Sequence, residues 1–534
     1  MEELSFWGWG KKSEAPGEDE LEYLAALIQE YFDVDPPEPE PAPSLESIDI
    51  PEPRVAIPDK LSEFSTQRRH HRALNTFGRG FPDLVRGFNG QFDPAPDMVI
   101  MPQTEDDIRR TMDWAQTKDA AVVPVGGGTN VVRATEPGAA SEDVTIALNT
   151  RNMNSVKEID NRSQTALIQA GATGPELEDQ LGRSGFTLRH YPQSFEFSTL
   201  GGWIATRAGG HFATVETRID DFINHTRTLT PSGAMETRSL PSSGAGPEPD
   251  SMMLGSEGTF GIITEATVRV RKEPEYRSRA TVAFEDFSDG VRASRELARS
   301  SLNPSNARLL SQEEVLLYQL SDSITNLLFL GFESPSVPVE SDLERATELC
   351  RNSGGRVTNK SVTSPENSDT RNDSESSWRE AFFRGPYLFN GLIQLGMIVD
   401  TIETCCSWSQ FEDMHQSIMS EANQIFDEIA SGGFITCRFT HLYPEGPAPY
   451  YTLIAPGNDQ ARIKQWHKLK EALSSTISTH GGTITHHHAV GRVHKPWYEE
   501  ETPEMYRESL SKVKTELDPD GMMNPGVLFD GTTD

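Results

Sequence analysis

A chain of 534 residues with 36% hydrophobic content is long enough for two or three domains, each with its own core. Against 48 lysines and arginines stand 81 aspartates and glutamates, a net charge of -33 that excludes a nucleic-acid surface and repels anionic lipid over most of the molecule. Cys350, Cys405, Cys406 and Cys437 are too few and too irregular for a disulfide framework or a zinc cluster, so reduced thiols are expected. The acidic excess with sparse lysine fits a surface adapted to high salt as well as an ordinary acidic one. Met1-Glu2-Glu3-Leu4 lacks the basic start of a signal peptide, and no stretch approaches a membrane span. A cytoplasmic protein, at most peripheral at a membrane, is the expectation.

In chain order, residues 1–60 open on the aromatic patch Phe6-Trp7-Gly8-Trp9-Gly10, expected to pack on the body or to touch a membrane face. An amphipathic helix over 20–32 follows, then the Pro/Glu run 36–41, which is too polar and proline-rich to bury a core and reads as a partly disordered linker. Residues 61–93 read as a helical, basic lead-in with Arg68, Arg69, Arg72, Arg79 and Arg86 free to meet phosphates or acidic neighbours. From 94 to 274 strands and helices alternate irregularly: a strand at 98–101, a helix over 105–117 capped by Thr104, a strand at 122–125, a helix over 176–184 and a strand at 266–270. A second, cap-like domain spans 275–482, with a strand at 282–284, a helix over 290–300 and a Ser/Asn/Asp-rich mobile loop over 361–377. Residues 483–534 return as a closing segment. The class is α+β.

Three glycine-punctuated segments recur in this frame. They are Pro124-Val125-Gly126-Gly127-Gly128-Thr129-Asn130, Pro192-Gln193-Ser194-Phe195-Glu196-Phe197-Ser198-Thr199-Leu200-Gly201-Gly202, and Gly255-Ser256-Glu257-Gly258-Thr259-Phe260-Gly261-Ile262-Ile263-Thr264. The first follows an apolar strand, so bare backbone N–H groups can approach a pyrophosphate. It lacks the G-x-G-x-x-G spacing and acidic partner of a nicotinamide site. Further on, His486-His487-His488 placed on a strand would put His486 and His488 on one face and His487 on the other, so the triplet cannot hold one metal and no metal is expected.

Together with Trp203 after the second segment and the Asn524-Pro525-Gly526 ending, these motifs resemble flavoproteins of the vanillyl-alcohol-oxidase (PCMH) type, and more narrowly the alkyldihydroxyacetonephosphate synthase subfamily. The resemblance covers residues 61 to the C-terminus and extends to the aromatic start. It implies a two-lobed FAD domain and a cap with an antiparallel sheet flanked by helices. It places noncovalent FAD against Pro124, Gly126, Gly127, Gly128, Thr129, Asn130, Gln193, Ser194, Ser198, Thr199, Gly201, Gly202, Thr206, Gly261 and, around the adenosine half, Glu257, Gly258 and Ile263. It implies Tyr450, with Tyr451 as the core alternative, as the proton acceptor or relay, beside His486, His487 and His488. A phenol needs a neighbouring histidine or cation to lower its pKa for that work. His190 and Arg438 are implied to face substrate, a lipid-like small molecule, and a homodimer is compatible with it.

Two departures stand against the subfamily pattern. Phe389-Asn390 occupies the place of an Arg-Asp pair whose arginine holds the anionic head; Arg384 and Arg379, with Pro386 intervening, do not share its helical face, so Arg438 or Arg207 would have to compensate. Glu216-Thr217 replaces Tyr-Gly, which implies a reshaped loop near the flavin. By resemblance the reaction replaces the acyl chain of acyl-dihydroxyacetone phosphate with a long-chain alcohol, after proton loss at C1 and a covalent flavin adduct, without net oxidation. The alternatives are a flavin-linked 2-hydroxy-acid dehydrogenase on the same scaffold, or a binding protein that has lost its chemistry.

Overall fold

In a computed structural model, described for residues 3–137, 144–321, 325–365, 374–458 and 461–529, the apolar strand Ala121–Val125 lies parallel to Thr145–Asn149, which is parallel in turn to Met98–Ile100. Both faces of such a sheet are covered, and the strands read as unbroken apolar runs for that reason. Helix Glu105–Lys118 links two of them; the Thr104 hydroxyl accepts from Asp107 N, and Ile108, Met112 and Ala115 are buried against the sheet. The second lobe is a five-stranded antiparallel sheet, in order Val156–Asp160, Thr165–Gln169, Ile262–Arg269, Ile223–Thr230, Gly233–Glu236. Helix Leu200–Thr206 packs on it through Leu200, Trp203 and Ile204.

The cap is a larger antiparallel sheet, in order Arg356–Thr363, Tyr276–Phe284, Asn326–Ser334, Asn306–Leu310, Arg438–Leu442, Pro447–Pro456, Met397–Glu403. Helices Phe287–Arg299, Glu340–Asn352, Trp408–Ile429 and Arg462–Thr479 contribute Val291, Leu343, Phe411 and Leu473 to the same core as Phe284, Leu309 and Tyr451. Successive strand residues point to opposite faces. Ala307, Leu309, Phe439, Tyr451 and Leu453 therefore enter that core, while Arg308, Arg438 and Tyr450 point the other way, into the pocket described below. These sheets form the expected α+β architecture of a two-lobed domain with an antiparallel cap.

The aromatic start packs on the body: Phe6, Trp7 and Trp9 are buried beside Phe81, Phe88 and Leu392, so they present no membrane face. Asn390 clasps Trp9, accepting from its N–H at 2.8 Å and donating to its carbonyl at 3.0 Å. Helix Glu18–Phe32 adds Leu21, Leu24 and Ile28 to that core, and the proline-rich run after it forms neither helix nor strand. At the other end, Val122 donates to Met522 O and accepts from Asn524 N, so the C-terminal segment closes beside the strand that feeds the first glycine loop. Residues 366–373 of the expected mobile loop, and the side chain of Arg379, lie outside the described residues. Among the described residues no helix is long and apolar enough to cross a membrane.

Candidate active site

The three glycine segments meet. A Cβ on Gly127 would lie 1.9 Å from the Phe197 carbonyl oxygen, so only glycine lets the first loop pass against the second. Gly258 has φ +73, and a Cβ there would strike Pro124 at 2.6 Å, which ties the third segment to the first. Between them opens one pocket, and every residue that the resemblance assigned to FAD, from Pro124 through Ile263, lies on its wall.

Several of these side chains are occupied in shaping that wall. Asn130 Oδ1 accepts from Val132 N and Ala134 N. Ser198 Oγ accepts from Trp203 Nε1 at 2.7 Å, and Thr199 caps Leu200–Thr206 by accepting from Gly202 N. Glu257 lies on the wall with its carboxylate accepting from Val490 N and Gly491 N, both at 2.9 Å. Burial pushes its pKa up to about 7. What remains for a ligand is backbone N–H, small hydroxyls and Asn524 Oδ1, which is buried on the pocket wall with no hydrogen-bond partner among the described residues. That set suits a diphosphate joined to polyols, and FAD fits it.

The cap supplies the opposite wall. Arg438 is buried and paired with Glu314 at 2.5 Å; burial opposes its charge, but Glu314 holds the guanidinium protonated. Its guanidinium carbon lies 3.9 Å from the centroid of the Tyr450 ring. Burial raises the Tyr450 hydroxyl above the ordinary phenol range and Arg438 offsets only part of this, so the expected lowering is not found. Arg308, which sequence reasoning missed, is buried on the same wall and donates to His211 O at 3.2 Å. Its signal was present, an arginine between Ala307 and Leu309 in an alternating strand.

The histidine triplet is not a strand. It bends around Glu403, whose buried carboxylate accepts from the backbone N–H of His486 at 2.7 Å, His487 at 3.2 Å and His488 at 3.0 Å, and from the Thr485 hydroxyl at 2.5 Å. This bend turns His487 and His488 into the pocket and His486 away from it, correcting the expected alternation. His487 Nδ1 stands 3.3 Å from Glu403 Oε2. Burial opposes the Glu403 charge, but His487 and its neighbours hold the carboxyl well below the usual range. Burial keeps His488 well below the ordinary imidazole value. His441, His486 and His487 bring ring nitrogens within 4.8 Å of one another, but Thr440 and Gly210 O engage His441, and Tyr443 and His487 engage His486.

His190 is also corrected. It lies behind the wall, wedged between Trp203 and Phe222 at ring separations of 5.1 and 5.7 Å, and burial brings its pKa down to about 3. Phe389 lies on the pocket wall with Pro386. Arg384 is exposed and 4.0 Å from Glu20, and Arg207 pairs with Asp220, so neither replaces the missing arginine. Of the basic lead-in residues only Arg79 lines the pocket, with donors committed to the carbonyls of Phe77, Gly78 and Ser5. In the altered loop Glu216 pairs with Arg271, and Thr217 lies against Tyr443.

Residues 96–239 match the model of an FAD binding domain, and residues 273–528 match that of the C-terminal domain of FAD linked oxidases. The alkyldihydroxyacetonephosphate synthase of Dictyostelium discoideum is 30% identical, over 97% of this chain and 86% of its own. Glycolate oxidase subunit GlcD of Bacillus subtilis (strain 168) is 24% identical, over 82% of this chain and 90% of its own. A solved alkyldihydroxyacetonephosphate synthase structure superposes with a TM-score of 0.81 and 26% identity over 98% of each chain. With its glycine cradle, its antiparallel cap and this full-length likeness, the chain belongs to the alkyldihydroxyacetonephosphate synthase family of FAD-dependent enzymes.

Proposed function

We propose that the protein exchanges the acyl chain of acyl-dihydroxyacetone phosphate for a long-chain alcohol, the ether-forming step of lipid synthesis, without net oxidation. The observation that carries this reading is the single pocket in which a cradle fit for a diphosphate faces Arg308, Arg438, Tyr450 and His487 across the cap interface. Noncovalent FAD, when bound, supplies a site that can hold and release the dihydroxyacetone unit. The glycine segments would hold its diphosphate through backbone N–H groups. Arg308 and Arg438 set a positive potential for the anionic head, while Phe389 and Pro386 offer an apolar flank to the chain.

Proton transfer at C1 falls to His487. Glu403 orients its Nδ1 edge and stabilises the imidazolium that forms when the other nitrogen takes a proton. Tyr450 keeps its proton and serves as a hydrogen-bond donor to the substrate oxygen. Phe389 in place of an arginine favours a second reading, oxidation of a 2-hydroxy acid, which needs less positive charge. Anaerobic mixing of the FAD-loaded protein with each substrate separates the two. Acyl-dihydroxyacetone phosphate bleaches the flavin reversibly in the first case; only a hydroxy acid does so in the second.

A further inference from the structure

The exchange reaction takes a proton from C1 and returns one, yet Tyr450 and Arg438 are buried. A hydrogen-bonded path leads out of the pocket. His487 Nδ1 lies 3.1 Å from His486 Nδ1, His486 Nε2 lies 2.7 Å from the Tyr443 hydroxyl, and that hydroxyl lies 2.9 Å from Thr217 Oγ1. Tyr443 is only partly buried, at the edge of the cap where Pro444 and Glu445 are exposed. We propose that His487, His486 and Tyr443 form a proton relay between the pocket and solvent, a role that rests on His487 being the acceptor of the C1 proton.

The donors and acceptors alternate as such a relay requires. Burial brings the His486 pKa down to about 3, so the ring carries one proton. Its Nδ1 then accepts from His487 Nδ1–H, its Nε2–H donates to Tyr443, and Tyr443 donates to Thr217 or water. When His487 takes the C1 proton on its pocket-facing nitrogen, its Nδ1 proton passes to His486, the Nε2 proton passes to Tyr443, and the Tyr443 proton leaves to water. Glu403, 3.3 Å from His487 Nδ1, balances the transient positive charge. Reprotonation of C1 runs the same shifts inward and restores both rings. One proton leaves and one returns, no electron moves, and C1 acquires a solvent hydrogen.

The test is substrate-independent. In FAD-loaded protein labelled with 15N-histidine, exchange of the His486 and His487 ring N–H groups with water is measured for the wild type and for Tyr443→Phe. The relay predicts exchange slower by about tenfold or more without the hydroxyl, with FAD binding retained. His486→Gln, which keeps a hydrogen bond to Tyr443 but cannot pass a proton through, must slow exchange at His487 as well. Equal exchange rates in either variant and the wild type overturn the relay. Deuterium entry at C1 from D2O is then followed in acyl-dihydroxyacetone phosphate and should fall in the same variants. A wild type that never turns over this substrate sinks the functional reading, and the ring-exchange rates still decide the relay.

Discussion

The guanidinium of Arg438 lies against the ring of Tyr450, 3.9 Å from its centroid, and pairs with Glu314 at 2.5 Å. A cation so placed attracts the π-face and fixes the ring. It does not ionise the phenol, because burial outweighs it. Tyr450 is therefore held as a donor of fixed direction.

Tyr450→Phe is expected to leave FAD absorbance intact while turnover falls by roughly 10²-fold, the range for loss of a preorganised hydrogen-bond donor aimed at developing charge. Steady-state kinetics checks this. Unchanged turnover would remove Tyr450 from the chemistry and leave it as packing for Arg438.

Arg308→Ala should weaken binding of the ketone phosphate by about tenfold to a hundredfold, since a charge-assisted hydrogen bond contributes about 1.5–3 kcal/mol. Phe389→Arg should gain little, because Arg308 and Arg438 already supply positive charge to the same pocket. Titration of both variants decides it. A large gain from Phe389→Arg with no loss from Arg308→Ala would mean that the phosphate site lies at residue 389.

Much of this site could be read from the chain because close approach leaves a mark in sequence. Gly127 faces the Phe197 carbonyl and Gly258 faces Pro124, so neither tolerates a Cβ, and the three segments announce one another. The period of two separates Tyr450 from Tyr451 once the strand Pro447–Pro456 is placed. The histidine triplet was misread because its conformation is imposed by Glu403, a distant residue in sequence with no local pattern around it. His190 was misread because a histidine packed between Trp203 and Phe222 has the same local sequence as one facing a ligand. Nothing near Tyr443 signals its contact with His486, since that contact joins two segments of the fold.

Glu257 gives a pH dependence of stated sign. Its folded pKa of about 7 exceeds the ordinary 4.5, so the folded protein keeps a proton that the unfolded chain loses. Its contribution is fully present below pH 4.5 and is lost as pH rises through about 7, by about 3 kcal/mol at most. Glu257→Gln should remove this slope from the difference in stability between variant and wild type. Parallel stability curves across that window would show that Glu257 is ionised throughout.

A net charge of -33 should make stability rise with salt, because screening relieves self-repulsion. Thermal melts between low and molar KCl should shift upward. A flat response would show that the surface charges are already balanced locally.

Acyl-for-alkyl exchange is tested most directly by the fate of the alcohol oxygen. The FAD-loaded protein is incubated with acyl-dihydroxyacetone phosphate and a long-chain alcohol carrying 18O, and the products are weighed by mass spectrometry. If the acyl chain departs as its carboxylate and the alcohol takes its place, the ether product carries the 18O and the released fatty acid carries none. Fatty acid bearing the label, or the absence of any ether product while a 2-hydroxy acid is oxidised by the same sample, would contradict the account.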